Sequence, residues 1–258
     1  MNRLASAFAR GKAFVAFVTA GDPDLETTAR LIVEMAEAGA DVVEIGIPFS
    51  DPTAEGPVIM QANLRALAGG VTTEKILETV AAVRDKVSVP LVFMTYANVV
   101  FSYGSERFMR RAREAGVDGL VVADLPFEER QEFLPYCQKY GLELISFVAP
   151  TSEERVRKIV REATGYIYLV SSLGVTGARS AIATDVGAIV ATIRETTDVP
   201  VAVGFGIATP QAARAMARVA DGVITGSAIV ELVGRYGRES VKPVGAFVRQ
   251  MKKAVSEA

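Results

Sequence analysis

The 258-residue chain contains no histidine and no tryptophan, and only one cysteine, Cys137. Without histidine there is no Ser-His-Asp triad, no imidazole base and no His-based metal site. Acid–base chemistry must then fall to carboxylates, Lys, Tyr or Cys. A single thiol cannot form an intramolecular disulfide, and Cys137 lies in Leu134–Leu142, which reads as a helix and its exit, so a half-buried helix thiol is expected. Met1–Lys12 lacks the apolar core of a signal peptide. No apolar run approaches the roughly 18 residues of a membrane span. No membrane association and a cytoplasmic location are therefore expected. An excess of charge is missing too: 28 basic and 30 acidic residues leave a net charge of -2. Nothing in that balance draws the chain to polyanions, and nucleic acid is not expected as a partner.

What is present is alternation. Eight short apolar, β-branched runs occur at Ala13–Thr19, Asp41–Gly46, Pro90–Thr95, Gly119–Ala123, Glu143–Val148, Tyr166–Ser171, Val199–Gly204 and Gly222–Gly226. They are mostly continuous rather than alternating, as parallel strands buried on both faces should be. Segments of helical period follow most of them, such as Glu106–Ala115, Ser152–Ala163 and Pro210–Ala217. Eight βα units in a chain near the ~250 residues typical of the architecture predict an α/β protein with a single (β/α)8 TIM barrel, residues 1–258 forming one catalytic domain. The competing reading, an open doubly wound sheet, lacks a G-x-G-x-x-G after its first strand. Run starts lie 23 to 33 residues apart, except that the second and third, at Asp41 and Pro90, are 49 apart. The excess, Ile47–Thr73, is expected to be an extended loop on the C-terminal side, where barrels concentrate function.

Several residues can carry chemistry. Gly204-Phe205-Gly206 follows the seventh run, and Gly226-Ser227 follows the eighth, opening a short helix expected at Ala228–Leu232. Barrels commonly bind phosphate with these two loops, through backbone N–H groups and a helix N-terminus. The alternative is that these glycines only make tight turns. Gly174-Val175-Thr176-Gly177 follows the sixth run and leads to Arg179 and Ser180, a composition expected of a lid. Glu44 sits near the C-terminal end of the second run, in Val42-Val43-Glu44-Ile45-Gly46. A carboxylate there either belongs to a structural ion pair or is desolvated toward a neutral pKa suited to proton transfer. In the following insertion Asp51 reads as a turn cap, while Glu55, between Ala54 and Gly56, is either a solvated loop charge or a second catalytic carboxylate. None of the eight lysines lies near the C-terminal end of a predicted strand, so an imine mechanism is not expected. No metal site is expected either.

Glu44-Ile45-Gly46-Ile47-Pro48-Phe49-Ser50-Asp51-Pro52, followed by Glu55-Gly56-Pro57, closely resembles the signature of tryptophan synthase alpha chains. The resemblance extends along the chain through Phe17-Val18-Thr19-Ala20-Gly21-Asp22-Pro23, Tyr96-Ala97-Asn98, Val122-Ala123-Asp124-Leu125-Pro126, Gly174-Val175-Thr176-Gly177, Gly204-Phe205-Gly206-Ile207 and Gly226-Ser227-Ala228-Ile229-Val230. It implies a lyase that cleaves indole-3-glycerol phosphate to indole and glyceraldehyde 3-phosphate in tryptophan biosynthesis. It implies Glu44 as the general acid–base, and Glu55 at the position that holds the indole N–H. Phe17, Met94, Val121, Ala123, Val148, Tyr168 and Thr176 then fall at substrate positions, and Gly177, Phe205, Gly206, Gly226 and Ser227 at phosphate contacts. No cofactor is implied in this chain: pyridoxal phosphate belongs to the beta subunit, the family partner in an alpha2beta2 complex. Three departures stand out. Glu55 replaces the usual aspartate, Thr53 a larger apolar residue, and Ser172-Leu173 an arginine and a small residue. Glu55 also leaves open an alternative, a non-catalytic partner that only activates a beta subunit.

Overall fold

The computed structural model describes residues 3–170, 182–204 and 206–258, the side chains of 182–185 excepted. Its strands are β1 (Ala13–Thr19), β2 (Val42–Gly46), β3 (Leu91–Thr95), β4 (Gly119–Val122), β5 (Glu143–Leu144), β6 (Ser146–Val148), β7 (Ile167–Val170), β8 (Val201–Gly204) and β9 (Gly222–Thr225). All pairings are parallel, in the order β5-β4-β3-β2-β1-β9-β8-β7-β6. The two ends of that order are one stretch of chain. β5 pairs with β4 and β6 with β7, and only Ile145 separates them, its amide still donating to Leu120 O at 2.9 Å. The fifth predicted run is therefore a stave that changes partners midway and closes the ring. The eight runs and the (β/α)8 barrel stand, and the open-sheet reading does not.

Cross-strand partners in a parallel sheet share a face, and alternate residues switch face. Val15, Val42, Val92, Val121, Ile145, Tyr166, Tyr168, Ala202 and Ile224 form the barrel interior. Their neighbours, among them Phe14, Val43, Phe93, Leu120, Leu169 and Val203, pack outward against the helices. Leu4 and Ala7 of the N-terminal helix Arg3–Ala9 join the interior cluster from below, and Phe8 stacks on Tyr166 with ring centroids 5.4 Å apart. Local signals start the outer helices. Asp24 caps Leu25–Glu37 by accepting from the Thr27 amide, and Thr72 and Thr209 do the same for Thr73–Val83 and Pro210–Ala217.

Three expectations need correction. Ile47–Thr73 is not simply a loop: Pro57–Ala68 is a helix with proline in its first turn, ended by Gly69 and Gly70. The helix after β9 is Ser227–Tyr236, longer than Ala228–Leu232, because its apolar face (Ile229, Val230, Val233) continues over the strands. Cys137 is fully rather than half buried, its Sγ 3.8 Å from Met109 Sδ, and burial pushes the thiol up to about 12. The predicted lid, 174–180, lies outside the described residues. No helix among the described residues is long and apolar enough to cross a membrane.

Candidate active site

Glu44 sits at the middle of β2, two residues from the interior Val42 and paired in register with Phe17 and Val92. Period-two alternation therefore points its side chain into the barrel. It is completely buried. One carboxylate oxygen, Oε1, accepts from the Tyr166 hydroxyl; the other, Oε2, has no hydrogen-bond partner among the described residues. Desolvation raises the Glu44 pKa to about 7, against the opposing pull of the Tyr166 hydrogen bond. The ion-pair reading is thus excluded for the described surroundings, which offer a phenol instead of a cation. A buried carboxyl titrating near neutrality, with one oxygen held and one open, can both give and take a proton.

The second carboxylate is half-buried. Glu55 Oε2 accepts from Asn63 Nδ2 at 2.7 Å, and Tyr96 also hydrogen-bonds to it. Desolvation raises the Glu55 pKa, and those two hydrogen bonds oppose the rise. The buried Tyr96 stacks on Phe49 with centroids 5.1 Å apart and accepts from the Ala54 amide at 3.2 Å, so the loop is tied down just before Glu55. Burial and the nearby Glu55 charge push the Tyr96 phenol far above its ordinary value. Asn63 lies on Pro57–Ala68, and that helix is fixed by a two-pronged ion pair, Arg65 Nε and Nη2 each 2.8 Å from the Asp22 carboxylate. Nothing in the sequence pattern singled out Asn63. Asp51 takes the Ser50 hydroxyl at 2.5 Å, in keeping with a turn.

The inward faces of the ring supply the walls. Phe17 and Met94 meet Ala62 and Val58 of Pro57–Ala68, which places this helix over the C-terminal mouth. Val121 and Tyr168 belong to the interior; Ala123 follows β4, half-buried. Val148 is a correction. It is paired with Leu169 and packs in the outer layer, so the inward position belongs to Phe147, whose ring lies 4.7 Å from that of its register partner Tyr168. Burial, with the charge of Glu44 second, keeps the Tyr168 phenol well above its ordinary pKa. Tyr166, two residues before Tyr168, shares its face and was findable by that spacing.

Glycines make room for these rings. A Cβ on Gly46 would lie 2.6 Å from Phe17, one on Gly204 2.6 Å from Tyr168, and one on Gly226 3.3 Å from Phe17. Gly226 precedes the first turn of Ser227–Tyr236 with no side-chain cap, leaving amides at that end to an external acceptor. Gly206 is exposed, with φ +73° and open space around its missing Cβ. Ser227, which follows Gly226 in the chain's last βα turn, is exposed. Thr176, Gly177 and Phe205 lie outside the described residues. Among the described residues no group of three or more His, Cys, Asp or Glu side chains is placed to hold a metal.

Comparisons with known proteins show the family and the same barrel fold. The family model described as tryptophan synthase alpha chain matches residues 4–256. The tryptophan synthase alpha chain of Lacticaseibacillus casei is 48% identical over 255 residues, covering 99% of this chain and 96% of that one. Among solved structures, tryptophan synthase subunit alpha from Legionella pneumophila superposes with a TM-score of 0.90 at 36% identity, covering 100% of both chains. A chain of Mycobacterium tuberculosis tryptophan synthase gives 0.90 at 33% identity, covering 99% of this chain and 98% of that one.

Proposed function

The chain belongs to the tryptophan synthase alpha chain family, and from that premise we propose that Glu44 and Glu55 divide the work of its lyase reaction. That reaction is the retro-aldol cleavage of indole-3-glycerol phosphate to indole and glyceraldehyde 3-phosphate, a step of tryptophan biosynthesis. The observation that carries the assignment is the buried Glu44, one oxygen on Tyr166 and the other without a partner among the described residues. Cleavage requires a proton at indole C3 and removal of the proton from the glycerol hydroxyl whose carbon becomes the aldehyde. A group titrating near 7 is about half protonated at neutral pH and suits both transfers.

Glu55 accepts the indole N–H and balances positive charge as C3 is protonated. Its extra methylene, relative to aspartate, is taken up by the hold of Asn63 and Tyr96. Phe17, Met94, Val121, Ala123, Phe147 and Tyr168 enclose the ring, with Thr176 beside them. Gly206, Gly226 and Ser227, with Gly177 and Phe205, donate backbone and hydroxyl hydrogens to the phosphate. The whole chain acts as one catalytic domain in the cytoplasm and carries no cofactor of its own. Its partner is a pyridoxal-phosphate beta subunit in an alpha2beta2 assembly, a reading supported by the likeness to a chain of the Mycobacterium tuberculosis synthase. A partner that only activates another subunit is the weaker reading. Burying Glu44 costs several kcal/mol that an apolar residue would not, and only proton transfer gives that cost a use. Indole release from indole-3-glycerol phosphate by the isolated chain, with and without a beta subunit, is the test. No release under either condition would leave the activator role standing.

A further inference from the structure

A cavity of about 180 Å³ lies between the upper ends of β4 and β6, the 3-10 segment Phe127–Glu132 and the helix Glu153–Val160. Its walls are mainly apolar, with Val122, Leu144, Phe147 and Ile159 among them. Into this lining projects Arg130, whose side chain is only 12% exposed. Its Nη2 donates to Glu162 O at 3.3 Å. Its Nε and Nη1 are buried with no hydrogen-bond acceptor among the described residues. The Glu162 carboxylate stands 3.3 Å from Nη1, but outside hydrogen-bonding alignment and largely in solvent, so it supplies charge and not an acceptor.

Arg155 grips Glu128 with two bonds of 3.0 Å, and Lys158 reaches the same carboxylate at 3.3 Å. Arg155 and Lys158 thus share Glu128, and among the described residues Arg130 has only the half-exposed Glu162 as its carboxylate. Buried guanidinium N–H groups that find no acceptor are costly, and the cost falls when an anion accepts from them. A mainly apolar cavity with a few polar groups, here Arg130, Arg155, Ser146 and Thr151, is also the usual form of a small-molecule site.

We propose that this cavity binds a small aromatic monocarboxylate, its carboxylate on Arg130 Nε and its ring against Val122, Leu144 and Ile159. A bare inorganic anion would leave the apolar walls uncovered, and a neutral ring would leave Nε unpaired. The cavity abuts the reaction chamber: Phe147, which lines it, also stacks on Tyr168.

The test is titration of the full chain with benzoate and with benzamide, its uncharged counterpart, by calorimetry and by methyl-labelled NMR. Benzoate is expected to bind with a Kd near ~1 mM, and benzamide about tenfold more weakly or worse, because it lacks the charge-assisted bond. The Ile159 methyl should shift and that of Val121, inside the barrel, should not. Arg130→Met should remove the preference for benzoate, with a urea midpoint to verify folding. Ile159→Phe, which fills the cavity and leaves the guanidinium untouched, should remove binding of both compounds. Equal affinity for the two compounds, binding retained in Ile159→Phe, shifts confined to Val121, or no binding to the wild-type chain would each overturn the proposal.

Discussion

The two ends of the barrel handle polar groups in opposite ways. At the N-terminal end three aspartates repeat one device. Asp41, Asp118 and Asp221 each stand just before a strand (β2, β4 and β9), and each donates its own amide to the carbonyl of a residue on the neighbouring strand: Phe14, Leu91 and Val201. Each side chain then accepts the amide of that same residue, at 2.7, 3.0 and 2.7 Å. Cations complete the sets: Lys252 on Asp41, Arg3 and Arg84 on Asp118, and Arg194 on Asp221. At the C-terminal end the buried Glu44 Oε2 and the hydroxyls of Thr19, Thr95 and Thr225 have no partners among the described residues. One end consumes its hydrogen-bonding capacity in holding the ring together. The other keeps some in reserve, and only the reserve can be given to a substrate. This is the physical content of the division between a stabilising and a reactive face in such barrels.

The contrast can be attacked from either side. Glu44→Gln should lower indole release by roughly 100- to 10,000-fold, since the amide fills the same space and cannot shuttle protons. Its thermal midpoint at pH 5, where the wild-type carboxyl is protonated, should barely move. If more than half of the activity remained, the reserve at the upper end would be structural and the contrast would collapse. Asp118→Ala should do the reverse: a loss of ~3–5 kcal/mol in urea unfolding, because Arg84 and the Leu91 amide lose a buried partner, with indole release per folded molecule unchanged. A tenfold fall in that rate would show the lower end to be more than a fastening.

Titration sharpens the comparison. The folded Glu44 pKa, about 7, lies above the ordinary 4.5, so folding favours the protonated form. The resulting stabilisation is complete below about 4.5 and is lost as pH rises through 7, a fall of up to a few kcal/mol. Unfolding of the wild-type chain at pH 5 and pH 8 should show that fall, and Glu44→Gln should not; parallel curves would place the titrating group elsewhere. The smallest effect is expected at Gly206. Alanine at φ +73° costs ~1–2 kcal/mol, and since its Cβ meets nothing, the cost is backbone strain alone. Calorimetry should find glycerol phosphate bound several-fold more weakly, and an unchanged affinity would move the phosphate site away from this loop.

Much of the ring was legible because its message is redundant. Eight apolar runs each state the same period, and a carboxylate in the second stands out against Val42, Val43 and Ile45. What was lost depended on single residues or on tertiary contact. Val148 and Phe147 are adjacent, and a shift of one residue exchanges the inside of a strand for the outside. Pro57–Ala68 was hidden by the prolines before it, although proline is at ease in a helix's first turn. Asn63 carries no sequence signal, because its role exists only once its helix is folded back over Glu55. The Tyr166 partnership with Glu44 spans 122 residues of chain, and no local pattern can announce it.

The N-terminal helix Arg3–Ala9 has a bearing on traffic. With Leu4, Ala7 and Phe8 stoppering the interior from below, the chamber is a cul-de-sac. Among the described residues, that leaves a doorway at the upper rim, beneath Pro57–Ala68, for substrate and both products. The two products differ in how they can be detained there: glyceraldehyde 3-phosphate by its charge, and indole only by the shape of the passage. Any partner that is to collect the indole before it reaches bulk water must therefore sit on that doorway, and shortening or swinging the helix would change the order in which the products depart without touching either carboxylate.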